Sequence, residues 1–280
     1  MMQFFRPITL AFIAAAGASS SLAQEYLTIP SGPGTPRAAV YSFEDKIDIK
    51  GLRLGDPGHE SLNILIELKN KYGDAFRARR MDEFFKARST NGRHAGNYKY
   101  LDGFDINIED PQYTESFIVK WGTEATAQHT DHIERRVKYK PCFLPDAEAT
   151  IASVREKYGE PTYYTEPSFS GVISLRHVFY YTWFDNELEK PVDKDGFYGR
   201  PYKCQQYTPV PYRFESTQPY IEGCSAHLIV MVEVDKAGRA TGIVQRFTSV
   251  ARHREDVEKT DAAISAQLSV DTITPAAPRL

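Results

Sequence analysis

The stretch Asp146-Ala-Glu-Ala-Thr-Ile-Ala-Ser-Val-Arg-Glu-Lys-Tyr-Gly-Glu-Pro161 reads as one short helix with both ends marked. Asp146 is a good N-cap, because its carboxylate accepts from the unpaired N–H groups of the first turn. Glu148 lies in that turn, where the positive helix end favours an acid. Ile151, Val154 and Tyr158 are spaced by three and four residues and share one face. Gly159 supplies the left-handed residue on which helices end, and Pro161 prevents continuation.

An earlier stretch, Asp56 to Gly73, repeats the pattern. Asp56 takes the cap, Pro57 the first helical position, and Leu62, Leu65, Ile66, Leu68 and Tyr72 the buried side. Aligning Gly73 with Gly159 pairs Leu65 with Ile151, Leu68 with Val154, Lys71 with Lys157 and Tyr72 with Tyr158. A chance likeness between two glycine-ended helices is the bland alternative. The pattern predicts an α+β fold of two related helix-plus-antiparallel-sheet units, residues 41–143 and 144–268, with a long Tyr/Pro loop at 189–223 in the second. Tyrosine and phenylalanine are abundant, at 17 and 16 residues, while methionine numbers 4, a balance that favours sheet over helical bundle.

Residues 1–23 read as a signal peptide. Arg6 supplies the basic region, Ile8 to Ala18 an apolar run too short to span a bilayer, and Ser21-Leu-Ala23 a small-x-small cleavage site. The residue after Ala23 is Gln24 rather than cysteine, so no lipid anchor is expected, and no later run is long enough to cross a membrane. The expected product is periplasmic or secreted. Removing Arg6 leaves 33 of the 34 basic residues against 37 acidic ones, a net charge of −4. That modest, mixed charge argues against nucleic acid as a partner. In an oxidising compartment Cys204 and Cys224 are the natural disulfide, around a loop of 19 residues, with Cys142 left over.

The remaining organisation follows the chain. Residues 24–40 are rich in Pro and Gly and read as a flexible arm; 269–280 reads as a disordered tail. Residues 41–54 read as a strand, 76–80 as a short strand, 81–88 as a helical turn with Phe84 and Phe85 inward, and 89–114 as mostly loop. Strands are predicted over 115–121, 133–143, 162–165, 175–184, 226–234 and 241–250, and a helix over 252–268 with Val257, Ala263 or Ile264, and Leu268 inward.

Motifs for chemistry are few. There is no Gly-x-Ser-x-Gly elbow, no phosphate loop and no dinucleotide fingerprint. His59-Glu60 lacks the second histidine of a zinc protease helix. His129-Thr-Asp-His132 presents two histidines three apart, but a structural zinc site needs four ligands, and a polar hairpin turn explains the cluster as well. Asp193-Lys-Asp195-Gly196 lacks the outer carboxylates of a calcium loop and reads as a turn. Glu187 and Glu189 have acid and base chemistry, yet glutamates after a strand are ordinary surface. No catalytic residue, metal or cofactor is assigned. Tyr198, Tyr202, Tyr207, Tyr212 and Tyr220 in the Tyr/Pro loop have the composition of a recognition surface, since tyrosine gives rigid amphipathic contact area. The alternative is that these rings pack beneath their own loop.

The order helix, Lys-Tyr-Gly-Glu-Pro161, strand, then the aromatic strand ending at Trp183 resembles the small α+β module of the outer-membrane assembly lipoprotein BamE (SmpA/OmlA family). Tandem copies of such a module resemble the β-lactamase inhibitory protein. The likeness rests on residues 55–73, 146–161 and the aromatic strand. It implies a protein-binding sheet surface without catalysis, and an envelope or secreted protein as partner. The alternative expectation is an envelope hydrolase or a carbohydrate-binding protein.

Overall fold

The computed structural model describes residues 27–29, 41, 43–44, 47–88, 94–167, 175–207, 213 and 221–273. The expected signal peptide, most of the expected arm and residues 274–280 of the expected tail lie outside the described residues.

Along the chain run β1 (Leu27–Thr28), α1 (Gly58–Tyr72), β2 (Phe76–Arg88), β3 (His94–Glu109), β4 (Tyr113–Trp121), β5 (Thr130–Tyr139) and α2 (Ala147–Tyr158). Then follow β6 (Tyr163–Thr165), β7 (Leu175–Phe184), β8 (Glu187–Leu188), α3 (Lys194–Phe197), α4 (Arg200–Gln205), β9 (Cys224–Val234), β10 (Ala240–Ser249) and α5 (Val250–Ile273). Among the described residues the strands form one sheet of ten. The order β3–β4–β5–β10–β9–β7–β6 is antiparallel throughout, β2 flanks β3, and β8 returns as a hairpin on β7. β1 runs parallel to β3 at Leu27↔Tyr98, beyond the reach of β4.

Side chains alternate across a strand, so uninterrupted registers assign each residue to a face. One row on the inner face runs Val119↔Ile133↔Phe247↔Leu228↔Tyr181 across five strands. All five are fully buried, and they join Leu65 and Leu68 of α1 and Ile151 and Val154 of α2 in one core. Each such side chain contributes roughly 1.5–3 kcal/mol by leaving water. Asp146 caps α2 as its sequence suggests, accepting from the Ala149 N–H at 2.9 Å.

Several local expectations are corrected. Among the described residues of 41–54 there is no strand, only an isolated bridge between Ile49 and Leu52, yet Phe43, Ile47, Ile49, Leu52 and Leu54 are buried in the core. Phe43 lies against Trp183 and Phe247 at ring distances of 5.9 and 6.1 Å, so burial there marks packing rather than a ladder. The short strand and helical turn expected over 76–88 are the single strand β2, and the expected loop at 89–114 contains the 16 residues of β3. The charged alternation of β2 and the Gly and Asn residues of β3 hid them; their pairing carries two bulges, at which Asp102 and Ala95 of β3 are the extra residues. Phe85 is inward, while Phe84 is 52 % exposed.

In α1 the buried stripe is Ser61, Leu65 and Leu68, and Leu62 and Ile66 face solvent. Pro57 rather than Asp56 precedes the helix, and it makes no side-chain cap. The helix expected over 252–268 runs from Val250 to Ile273 and lies on the outer face of the sheet. It buries Val257 and Ile264 against Ile29, Phe85, Tyr98 and Tyr100. Within the loop expected at 189–223, α3 and α4 form, and Cys204 is disulfide-bonded to Cys224. Cys142 is exposed and outside any disulfide.

Candidate functional site

The outer face of the sheet is the surface on which α3, α4 and α5 sit at one side, while among the described residues nothing regular sits at the other. Registers give its rows. The first is Lys120↔His132↔Thr248↔His227↔Thr182. The second is Asp105↔Ile118↔Glu134↔Arg246↔Ile229↔Tyr180↔Tyr163. The third continues as Ser116↔Arg136↔Val244↔Met231↔Val178.

The first row is buried and polar. His132 Nδ1 is 2.8 Å from the Thr248 hydroxyl, and His227 donates from Nε2 to the Tyr207 carbonyl at 2.8 Å. Gln205 of α4 donates to the Thr182 hydroxyl at 2.6 Å. Between β4 and β5 the register slips after Lys120, and the extra residue is Asp131. That bulge aims its carboxylate at α5, where it meets His253 Nδ1 at 2.9 Å. Asp256, one turn on, accepts from the Thr123 N–H at 2.7 Å, the Thr123 hydroxyl at 3.0 Å and the Thr126 hydroxyl at 2.7 Å. Arg252 forks onto buried Glu44 at 2.8 and 2.9 Å.

Burial sets the charge states here. It pushes His132 down to about 3, helped by the neighbouring His227, and His227 down to about 4. Burial opposes the charge on His253 too, but the hydrogen bond and charge of Asp131 win, and its pKa is raised. Burial likewise lifts Asp102 to about 6 against the pull of Lys120, 3.3 Å away. The histidine pair noticed in sequence, His129 and His132, is therefore buried rather than a polar surface turn. Among the described residues no group of three or more His, Cys, Asp or Glu side chains is arranged to hold a metal.

The second and third rows are different. Val178, Tyr180, Ile229 and Met231, all half-buried, and Val244, which is 8 % exposed, form a contiguous apolar patch over β7, β9 and β10. Charges ring it in pairs: Arg176 with Glu233 at 3.0 Å, Arg246 with Glu134 at 2.8 Å, and Arg79 with Asp105 at 2.8 Å further out. At the β6 side the loop helices close against it. Phe197 stacks on Tyr163 at 4.3 Å and lies 4.7 Å from Tyr180. Tyr202 and Tyr198 are edge-on to Phe197, both at 5.6 Å, and to one another at 5.1 Å.

Of the five tyrosines singled out in sequence, Tyr198 is exposed and Tyr202 half-buried at the patch margin. Tyr207 is buried, edge-on to His253 at 5.9 Å, so it packs beneath its own loop. Tyr212 and Tyr220 lie outside the described residues. His59 and Glu187 are exposed and Glu189 is half-buried, all apart from this face, and Asp193 caps α3, accepting from the Gly196 N–H at 2.8 Å.

Sequence reasoning passed over the patch itself. A signal was present: Leu228-Ile-Val-Met-Val232 is apolar at both parities, whereas an antiparallel strand with one wet face should alternate. Such a run says that the second face is also meant to be dry.

Compared with known proteins, the chain matches no family model, no curated protein and no solved structure.

Proposed function

We propose that this chain is an exported, non-catalytic protein-interaction module whose partner docks on the open outer face of the sheet. The observation that carries the reading is the apolar patch Val178, Tyr180, Ile229, Met231 and Val244, ringed by paired charges and continuous with the Tyr198 and Tyr202 rings. An apolar centre with a polar rim is the anatomy of protein interfaces, and aromatic and methionine side chains are enriched in them. The sheet face and the Tyr/Pro loop, two separate candidates in sequence, adjoin through Phe197 and make one surface.

The reading includes two related units. The strand order supports it: β2–β3–β4–β5 from one half meets β10–β9–β7–β6 from the other, each set preceded by a helix, with the final strands paired at the middle. That arrangement is what tandem modules of the BamE type, or the β-lactamase inhibitory protein resemblance, would call for. The exported location rests on the sequence of residues 1–23, and the cystine is in keeping with it.

A small-molecule or carbohydrate reading is the alternative. A pocket of about 600 Å³ opens on the inner side, lined by Phe43, Tyr158, Trp183 and Leu188. Phe43 and Trp183 are only 0 % and 5 % exposed, however, so neither offers a ring face to a sugar.

The test is a photo-cross-linking residue placed at Met231 and, as control, at Glu156 on the exposed side of α2, in the exported protein within its native cells. A discrete protein adduct from position 231 and none from 156 supports docking on the outer face. Equal adducts, or none from 231 with the protein correctly folded and exported, sink it. N-terminal sequencing of the same material should begin at Gln24.

A further inference from the structure

The charges around the patch are not all balanced. Glu134 is shared: its Oε1 accepts from Arg136 Nε at 2.5 Å and its Oε2 from Arg246 Nε at 2.8 Å. One carboxylate thus faces two guanidinium groups, and a single positive charge is left over. The carboxylate lies deep, with a side-chain exposure of 11 %, while Arg136 and Arg246 stand at 55 % and 39 %. Both arginines are engaged through Nε, and among the described residues their terminal Nη groups make no hydrogen bond or ion pair. By contrast, Arg79 with Asp105 and Arg176 with Glu233 are matched one to one. The excess is local, because the whole chain carries a net charge of −3.

Its position ties it to the patch. Arg136 is opposite Val244, which is opposite Met231; Arg246 is opposite Ile229. A partner that covers these apolar side chains also covers the two guanidinium groups. Burying an unbalanced charge is strongly unfavourable unless the partner supplies the opposite one. A guanidinium fork matches a carboxylate in geometry as well as charge, so that acid is the fitting group.

We propose that Arg136 and Arg246 form a carboxylate-recognising pair, and that the partner presents an Asp or Glu side chain next to an apolar residue that enters the Val178–Met231–Val244 patch. This rests on the docking reading above and adds to it the chemistry of the partner. Glu134 is the buried carboxylate that neutralises one of the two positive charges.

A phage library of random 12-residue peptides, selected on the immobilised chain from Gln24 to Leu280, tests it directly. The expected peptides combine an acid with an apolar residue one to three positions away. In synthetic form their affinity falls at least tenfold in the R136Q/E134Q/R246Q variant, which removes all three charges and leaves no carboxylate stranded. It rises in Glu134→Gln, which doubles the uncompensated positive charge, and it weakens with added salt. Peptides that lose affinity only when their own C-terminal carboxylate is amidated would place the acid at a chain end and overturn the side-chain assignment. Purely apolar peptides, lost in Met231→Asp yet indifferent to the triple variant, overturn the arginine proposal and leave the docking face standing. No selected peptide sensitive to Met231→Asp overturns both.

Discussion

The two ends of the outer sheet face are built the wrong way round for a simple globular protein. The end covered by α5 is polar: Lys120, His132, Thr248, His227 and Thr182 form its row. The end that no helix of the described residues crosses is apolar: the half-buried Val178, Tyr180, Ile229 and Met231, with Val244 buried beside them. α5 is held over the first by directed bonds, His253 to Asp131, Asp256 to Thr123 and Thr126, and Arg252 to Glu44, and further along it buries Val257 and Ile264 against Ile29, Phe85, Tyr98 and Tyr100. Each such bond is worth little more than its exchange with water, but each is costly to leave half-made. Directed bonds and this apolar contact together fix one position for the helix, and that position leaves the Val178–Met231 end without a helix of the described residues over it. A patch kept open in this way is a surface for something else.

The inner face sets the scale against which both ends are judged. Phe247 is fully buried at its centre, within ring contact of Phe43 and Trp183. Phe247→Ala is expected to cost about 3–5 kcal/mol in urea unfolding. A loss under about 1 kcal/mol would mean that the inner face is not the main core, and the contrast between faces would collapse.

The covered end should respond to reduction and to acid, and the open end to neither. Cys204 on α4 is linked to Cys224 at the start of β9, beside the polar row. Reducing the bond releases a loop of 19 residues and should lower stability by roughly 3 kcal/mol. Unchanged urea midpoints with and without reductant would show that α3 and α4 are held by packing alone.

Acid acts through the histidines. His132 and His227 titrate near 3 and 4 in the folded chain, against 6.5 in the reference state. Between those values the unfolded chain binds more protons, so each histidine favours folding above pH 6.5 and loses that contribution as the pH falls. His253 and Asp102 are shifted upward and act with the opposite sign, which flattens the total profile. The comparison of parent with His132→Gln isolates one group. Relative to the parent, the variant should gain up to roughly 3 kcal/mol on going from pH 7 to pH 4. Parallel stability curves for the two proteins would show that His132 is not held neutral.

How much of this could be read from sequence depends on how local the signal was. The cap and stop of α2, the aromatic strand Leu175–Phe184 and the pairing of Cys204 with Cys224 were legible, because each depends on a few neighbouring residues. β2 and β3 were not. Their residues carry charge, Gly and Asn, and they become strands because Phe76 to Arg88 finds a long partner in His94 to Glu109. The segment 41–54 misled in the opposite sense, its apolar residues serving the core without a ladder. As for the site, Tyr198 and Tyr202 were found by composition, and the same criterion also picked Tyr207, which is buried against His253. Arg136, Glu134 and Arg246 were invisible as a group, since they lie 112 positions apart at the extremes of one contact and only the β5–β10 pairing joins them.

The smallest expected effect on stability is also the sharpest test of the open end. Met231 is half-buried between Val178 and Val244, in contact with its own face but not with the inner core. Met231→Ser removes apolar area that the folded chain shields only in part. The stability loss should stay below about 1 kcal/mol, well under that of Phe247→Ala. Capture of a partner or of a selected peptide should fall by tenfold or more, because a docked partner completes the burial that the fold leaves unfinished. A side chain whose removal hardly troubles the fold but abolishes binding belongs to the surface rather than to the core. If Met231→Ser instead unfolds the chain as readily as Phe247→Ala while binding per folded molecule is unchanged, the patch is a second core, and the two ends of the outer face differ in polarity alone.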